Sequence, residues 1–452
     1  MSSTTPVSTT KFRVAIVGAG LGGLLLALFL QKYSTDIEVD IYESAAKLAE
    51  LGAGIGVWPR VMEVIKYLGL EDDLHKIAGT RDSTEMALYY RKADEPEEVD
   101  VRAIEPALLT FRRSDLQAVL VKHLHTADKI FYSKRLAAYV EPKAGSLDPI
   151  VLQFKDGTTA TCDLLVGSDG IRSAVRRTMY SERANAAKDN GDSEQAAKLR
   201  SMIDPVWSGQ VAYRGVVPVD KLEGSAFTDI DKPVIFIGKN KNVISYPISR
   251  GEAVNIAAFV RTPGGEGTTY EGPWVTECTG PEVAEKFEGW SSGIQDLLKA
   301  MDKPLDWAVH TVRELPTNVS GRVVLIGDAA HAMTPHQGSG AGQAIEDGFI
   351  LASVLSHPSV KLSNVSKALK VHDELRRPFA HGVQLASQKN ADLYHLYRLG
   401  WEHITAEQSS KGDYPREMLN AIGDELESAM AWALHGSILD DQEKALKLLE
   451  QL

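Results

Sequence analysis

The sequence predicts an α/β fold: a doubly wound nucleotide-binding domain, interrupted by an antiparallel-sheet domain and closed by C-terminal helices. Three observations predict it. The chain opens on an apolar run, a glycine-rich turn, an apolar helical stretch and a second apolar run, a β-α-β unit of the kind that builds parallel sheets. Between residues 210 and 260 the texture changes to short β-rich runs separated by turn residues. A buried-strand pattern returns at 322, and helical patterns run from 342 to the end.

In chain order, residues 12–17 read as a strand, 21–32 as a helix and 37–42 as a second strand ending at Glu43. Helical patterns follow at 60–68 and 113–125, and strand-like runs at 150–154 and 162–166. The polar, Ala-rich stretch 181–199 reads as a surface helix or mobile insertion. Runs at 210–217, 233–237, 243–248 and 253–260 read as the antiparallel sheet, and 322–326 as a strand of the first style. The expected organisation is a mobile tail over 1–10, a discontinuous nucleotide-binding domain over 11–80, 106–180 and 285–395, a sheet domain over 81–105 and 181–284, and C-terminal helices over 396–452.

Composition narrows the function classes. The 452 residues carry 49 Lys and Arg against 61 Asp and Glu, a formal net charge of -12. So acidic a chain lacks the electrostatic footprint of a nucleic-acid binder. Its two cysteines, Cys162 and Cys278, cannot form a structural zinc site alone and read as reduced thiols, so a cytoplasmic location is expected. The apolar stretch 14–30 contains four glycines and is marginal in length for a bilayer, so no membrane span is expected. His123 and His125 have metal-like spacing without a carboxylate cluster and read as helix surface; no metal site is expected.

Gly18-Ala-Gly20-Leu-Gly22-Gly23 follows the first strand directly and opens the helix. Gly18 permits the tight turn, Gly20 lets the backbone approach a pyrophosphate, and Gly23 allows close helix–sheet packing. Phosphates then rest on the helix N-terminus, where free N–H groups and the helix dipole favour negative charge. Glu43 lies 20 residues beyond Gly23, where its carboxylate accepts hydrogen bonds from ribose hydroxyls. This fingerprint does not separate FAD from NAD.

Two later motifs do. Asp163-Leu-Leu-Val-Gly-Ser-Asp169-Gly170-Ile-Arg172-Ser-Ala-Val-Arg176 resembles the Asp-Gly motif of the flavin-dependent aromatic hydroxylases. Gly327-Asp328-Ala-Ala-His331-Ala-Met-Thr-Pro335-His336-Gln-Gly338-Ser-Gly340-Ala341-Gly342 resembles their Gly-Asp motif. With the fingerprint and an Arg-Ser-Asp-Leu block at 113–116, the resemblance spans nearly the whole chain and is nearest to salicylate hydroxylase and its fungal relatives. Two departures stand out: Ser168 replaces an Ala, and Arg60 follows Pro59 where the family commonly has Asn.

The resemblance implies non-covalent FAD, with NADH or NADPH and O2 as co-substrates. It puts Asp328 on a ribityl hydroxyl, and Gly338, Gly340 and Ala341 against the pyrimidine side of the flavin. Gly54 and Gly56 lie along the ring, Arg113 faces the ribityl–phosphate region, and Asp169 and Gly170 hold backbone near the pyrophosphate. It places the substrate between the antiparallel sheet and the flavin, with Arg214, Tyr246 and His336 as the groups for a phenolate or carboxylate, and gives His331 a structural role. The implied reaction is hydroxylation of a small phenolic acid, with loss of CO2 where a carboxyl occupies the attacked carbon. The alternatives are hydroxylation of a phenolic polyketide or other phenol without CO2 release, a plain NAD-dependent dehydrogenase, which leaves both later motifs unexplained, and a flavoprotein acting as an interaction scaffold, for which no linker or tail speaks. No macromolecular partner is implied, and the chain reads as a monomer or homodimer.

Overall fold

The computed structural model describes residues 10–48, 54–79, 86–143 and 145–451, so all of the expected tail but Thr10 lies outside the described residues. Its first layer is a six-stranded sheet in the order Val319–Ser320, Val323–Leu325, Leu164–Gly167, Phe12–Val17, Ile37–Tyr42, Ile130–Phe131. All neighbours are parallel except the first pair. The near-continuous apolar strands reflect burial on both faces. Helix Leu21–Tyr33 covers one face, with every residue from Leu21 to Leu30 buried. Helix Gly340–Ser356 lies so close to it that a β-carbon on Gly22 would stand 3.1 Å from the Ala344 Cβ.

The second layer is a nine-stranded sheet in the order Val275–Glu277, Leu305–Thr311, Val206–Pro218, Ala253–Glu266, Lys241–Ile248, Val234–Gly238, Met86–Lys92, Val99–Arg112, Gly54–Val57. It is antiparallel apart from the pair Val234–Gly238 and Met86–Lys92. Residues paired across antiparallel strands share a face, and the two faces here have different partners. Tyr213, Val217, Val243, Val254, Ile256 and Ala258 pack on helices Gly280–Lys286 and Ser292–Lys299. The opposite face carries Ala212, Ala257, Phe259 and Val309 as one apolar cluster. A three-stranded sheet of Leu136–Val140, Ile150–Phe154 and Thr159–Cys162 completes the strands.

Several expectations change. The run 162–166 divides at Asp163, whose carboxylate takes two hydrogen bonds from the Arg13 side chain and whose backbone N–H bonds Arg13 O at 2.9 Å; there the chain passes from one sheet to another. The stretch 181–199 forms two helices, Ala174–Asp189 and Ser193–Ser201, the second capped by Asp192 accepting from Gln195 N at 2.9 Å. Their buried Val175, Met179, Ala184 and Leu199 pack against the parallel sheet, so this segment does not join the sheet domain as a boundary at 181 requires. Conversely, Leu305–Thr311 pairs with Val206–Pro218, and helices 280–286 and 292–299 lie under the same sheet, so a boundary at 285 falls too early. Residues 106–112 likewise continue a strand of the nine-stranded sheet. The helix from Arg113 ends at His123, leaving His125 beyond it. After the long helix Val365–Tyr394, the C-terminal segment forms the α-helices Ala406–Ser410, Glu417–His435 and Leu439–Leu449. Among the described residues no helix is long and apolar enough to cross a membrane.

Candidate active site

The fingerprint turn and the Asp-Gly motif meet. Gly18 sits at φ 107°, and a β-carbon on it would lie 2.2 Å from Ser168 O. On Gly23 it would lie 2.1 Å from Gly18 O, so both positions require glycine. Helix Leu21–Tyr33 has no side-chain cap at Gly20 and no acidic residue in its first turn, which leaves its leading N–H groups for an anion. Glu43 stands at the strand end as expected. Its Oε2 accepts from Ala19 N at 2.9 Å and its Oε1 from Ala45 N at 2.7 Å.

Asp169 is not free for a ligand through both oxygens. Oδ2 accepts from Ala174 N at 2.7 Å and Val175 N at 3.2 Å, fastening the start of the helix Ala174–Asp189. Oδ1 is buried without a protein partner, and burial pushes the carboxyl pKa up. Arg176, wholly buried, bonds Ile171 O at 2.5 Å and Ala329 O at 2.8 Å, tying the Asp-Gly segment to the Gly-Asp segment.

Gly327, at φ 59°, turns the chain out of the last parallel strand. Asp328 then opens the short helix Asp328–His331, exposed and without a hydrogen bond to another described residue. Beneath this turn lies a buried ionic network that sequence reasoning missed. His331 Nε2 is 2.6 Å from Asp347 Oδ2, which also accepts from Gly327 N at 2.9 Å. Arg376 reaches Asp347 Oδ1 and Glu346 Oε2, each at 2.9 Å. Arg60 reaches Glu346 Oε1 at 3.1 Å and Asp441 Oδ2 at 2.8 Å, which supplies the contact its departure from the family pattern had left open. The one signal available was Glu346-Asp347 in the middle of an otherwise uncharged helix.

Gly338 is left-handed at φ 60°, and helix Gly340–Ser356 begins without a side-chain cap or an acidic first turn, so the N–H groups of Gly340, Ala341 and Gly342 are available. Trp58 Nε1 donates to Gln337 O at 2.9 Å and joins this turn to strand Gly54–Val57. In that strand a β-carbon on Gly56 would lie 2.2 Å from Leu108 Cδ1, and one on Gly54 would lie 2.4 Å from Tyr246 Cε2.

Tyr246 pairs with Asn255, and Arg214 with Ala257, along one central strand, so both stand on the sheet face opposite the helices. Arg214 is partly buried and has no ion pair or hydrogen bond among the described residues; its guanidinium lies over the Trp307 ring, 6.0 Å from the ring centre. Burial lowers its pKa, Tyr246 raises it, and Arg113 lowers it, so three predicted residues act on one region. Arg113 itself is exposed at the start of its helix. Burial pushes the Tyr246 phenol up to about 12, against the pull of Arg214.

His336 completes this side. Its ring lies 4.8 Å from that of Phe259, on the same sheet face, and both ring nitrogens are buried without partners among the described residues. Burial and then the charge of Arg261 push its pKa down to about 3. His123 Nε2 instead meets Asp73 at 2.7 Å on the surface, and no metal-holding cluster exists among the described residues.

The family described as FAD binding domain matches residues 11–223 and 261–386. FAD-dependent monooxygenase str9 of Strobilurus tenacellus is 33% identical, the match covering 98% of each chain. A salicylate hydroxylase of Pseudomonas putida is 34% identical over 85% of this chain and 86% of its own. Among solved structures, a salicylate hydroxylase substrate complex superimposes with a TM-score of 0.78 at 29% identity, covering 97% of this chain and 98% of that one.

Proposed function

The chain belongs to the FAD-binding aromatic monooxygenases, and on that premise we propose that it hydroxylates a small phenolic acid and releases the carboxyl group as CO2. It is a FAD-dependent monooxygenase that acts on an aromatic substrate with NAD(P)H and O2. The cradle fits FAD: glycines stand where a β-carbon would collide, two helix N-termini lack caps, and the Asp328 carboxylate has no other described partner. Gly18, Gly20 and Gly23 would take the pyrophosphate, Glu43 the ribose hydroxyls, Asp328 the ribityl chain, and Gly56, Gly340 and Ala341 the ring; Asp169 acts through the backbone it holds. Reduced FAD, when bound, supplies the activation of O2.

The single observation that carries the substrate class is Arg214. A guanidinium keeps its charge in proteins, and this one is desolvated beside Tyr246 with no carboxylate among the described residues to answer it. An anionic ring substituent is the missing partner, because a buried unpaired charge is costly. Tyr246, protonated at neutral pH, donates its phenol hydrogen to the same anion. His336 is uncharged there and either accepts the proton of the substrate phenol in a hydrogen bond or donates N–H to its phenolate. Electron density on the phenol oxygen activates the ortho carbon. With the carboxyl on that carbon, one oxygen atom of O2 joins the ring, the carboxyl leaves as CO2, and the second oxygen becomes water with two electrons from NAD(P)H. The apolar floor of Ala212, Ala257 and Phe259 excludes water from this step.

The experiment labels the carboxyl carbon of salicylate and of 4-hydroxybenzoate and traps CO2 during NAD(P)H-driven turnover. One labelled CO2 per dihydroxybenzene is expected from salicylate. Hydroxylated product that keeps its label overturns the decarboxylating reading and favours ring hydroxylation of another phenol.

A further inference from the structure

Gln210 is 1% exposed, and neither its amide nitrogen nor its amide oxygen meets a partner among the described residues. It pairs with Arg261 on one side and Val309 on the other. Val309 clusters with Ala212, Ala257 and Phe259, so Gln210 shares the face of Arg214, four residues away with Ala212 between them. About 14 Å of strand separates the two α-carbons, so Gln210 and Arg214 reach the face at two separate points. The strand register shifts between Ser208 and Gln210, at a Gly209 with φ 75°, and such a bulge re-aims the side chain that follows it.

A second unpaired group lies on this face. Asn242, opposite Phe259, is fully buried; its Oδ1 is 2.8 Å from His395 Nε2, while its Nδ2 has no partner among the described residues. The face thus has Arg214 at one end and the unpartnered Gln210 amide at the other, with Ala212 between them; Arg261, directly across from Gln210, is held by Asp392 at 2.5 Å, and Asn242 lies beyond Phe259 in register with Ala212. Leaving both atoms of a buried amide unmade carries its full desolvation cost. A hydroxyl group, which donates and accepts at once, satisfies an amide that offers both.

We propose that the Gln210 amide, on the sheet face that also carries Asn242, forms a hydrogen-bonding subsite that binds a hydroxyl group on the substrate ring away from the anionic group. This deepens the phenolic-acid reading and rests on it for the anionic end alone. The preferred substrates are therefore hydroxybenzoates that carry a further ring hydroxyl.

The test measures binding to the oxidised holoenzyme through the change in its visible flavin spectrum. The probes are salicylates carrying hydroxyl or methyl at the 4 or 5 position, and the neutral pair resorcinol and 3-methylphenol. At one ring position the hydroxyl compound is expected to bind about tenfold tighter than the methyl compound or better. In Gln210→Leu, and in Gln210→Met as a second variant, that ratio falls below about threefold. A wild-type ratio under about threefold at both positions and in the neutral pair overturns the proposal, and that result decides even where both variants lose flavin. A ratio that persists in a flavin-loaded variant overturns it too. Failure of every benzoate, with a Gln210-dependent preference for resorcinol, removes the phenolic-acid reading and leaves the subsite standing.

Discussion

His331 Nε2 and Asp347 Oδ2 stand 2.6 Å apart beneath the turn that carries Asp328. The same Asp347 oxygen holds Gly327 N, and its other oxygen holds Arg376. One carboxylate therefore fixes the turn, the helix Gly340–Ser356 and the helix Val365–Tyr394 relative to one another. Burial alone would push the Asp347 pKa up, but the opposing charges of His331 and Arg376 hold it well below the usual carboxylate range.

Asp347→Ala leaves Arg376 without one of its two anionic partners, and breaking a buried pair costs about 3–5 kcal/mol. Thermal unfolding of the variant is expected to begin well below that of the parent, with less FAD retained. The sign with pH follows from a folded pKa below the unfolded one. The contribution is complete above about pH 4 and shrinks as pH falls further. A deficit that grows on acidification contradicts the assignment.

How much of this was legible in the sequence depends on range. The strand, glycine turn and helix from Phe12 to Tyr33 were legible because each step is local: apolar run, tight turn, uncapped helix start. Glu43 was legible for the same reason. The Arg60–Glu346–Arg376 network was not, because Arg60 lies 286 residues before Glu346 and Arg376 lies 30 after it on another helix, so the charges meet only after the helices pack. Leu305–Thr311 does not read as a strand because only Ala308, Val309 and His310 of it are buried, too short a run to stand out. Gln210 was read only as the start of a strand, since a bulge at Gly209 decides where it points.

Glu43→Ala and Asp328→Ala are expected to weaken FAD binding and to leave turnover per bound flavin near the parent value. Each removes hydrogen bonds to a carboxylate, about 1–3 kcal/mol or roughly tenfold to a hundredfold in dissociation constant. Glu43→Ala acts more broadly, because it also releases Ala19 N and Ala45 N. Flavin titration of the apoprotein and turnover at saturating FAD separate the two effects.

His336 gives an acid-side signature. With a folded pKa near 3 against an unfolded value of about 6.5, protonation favours the unfolded chain across that window. Stability from this residue is complete above about pH 6.5 and is lost as pH falls, by up to about 1.4 kcal/mol per pH unit. His336→Gln is expected to flatten the dependence of unfolding free energy on pH between about 6.5 and 4. An unchanged slope places the ring in contact with water.

Arg214→Ala is expected to raise the Kd of an anionic aromatic substrate by about 2–5 kcal/mol, with FAD content unchanged. Arg214→Lys keeps the charge but not the planar fork, and recovers only part of the loss. Spectral titration with a benzoate and with a neutral phenol reads this directly, since only the benzoate curve moves far. Equal losses for both ligands would assign Arg214 to packing.

Gly54 tests whether the flavin-side strand and Tyr246 form one unit. A β-carbon there would stand 2.4 Å from Tyr246 Cε2 and 2.7 Å from its hydroxyl oxygen, while Gly54 N donates to Asn255 Oδ1 at 2.7 Å. Gly54→Ala must therefore displace either the ring or the strand, and the strand is pinned by Asn255 and by its pairing with Phe111 and Arg112. The ring is the softer element. Gly54→Ala is expected to weaken substrate binding through Tyr246, and Tyr246→Leu to do so by removing the phenol. Because both act through one ring, the double variant falls short of the sum by about 1 kcal/mol or more. Full additivity, measured by substrate titration of all four proteins, would mean that the added methyl disturbs the flavin rather than the tyrosine.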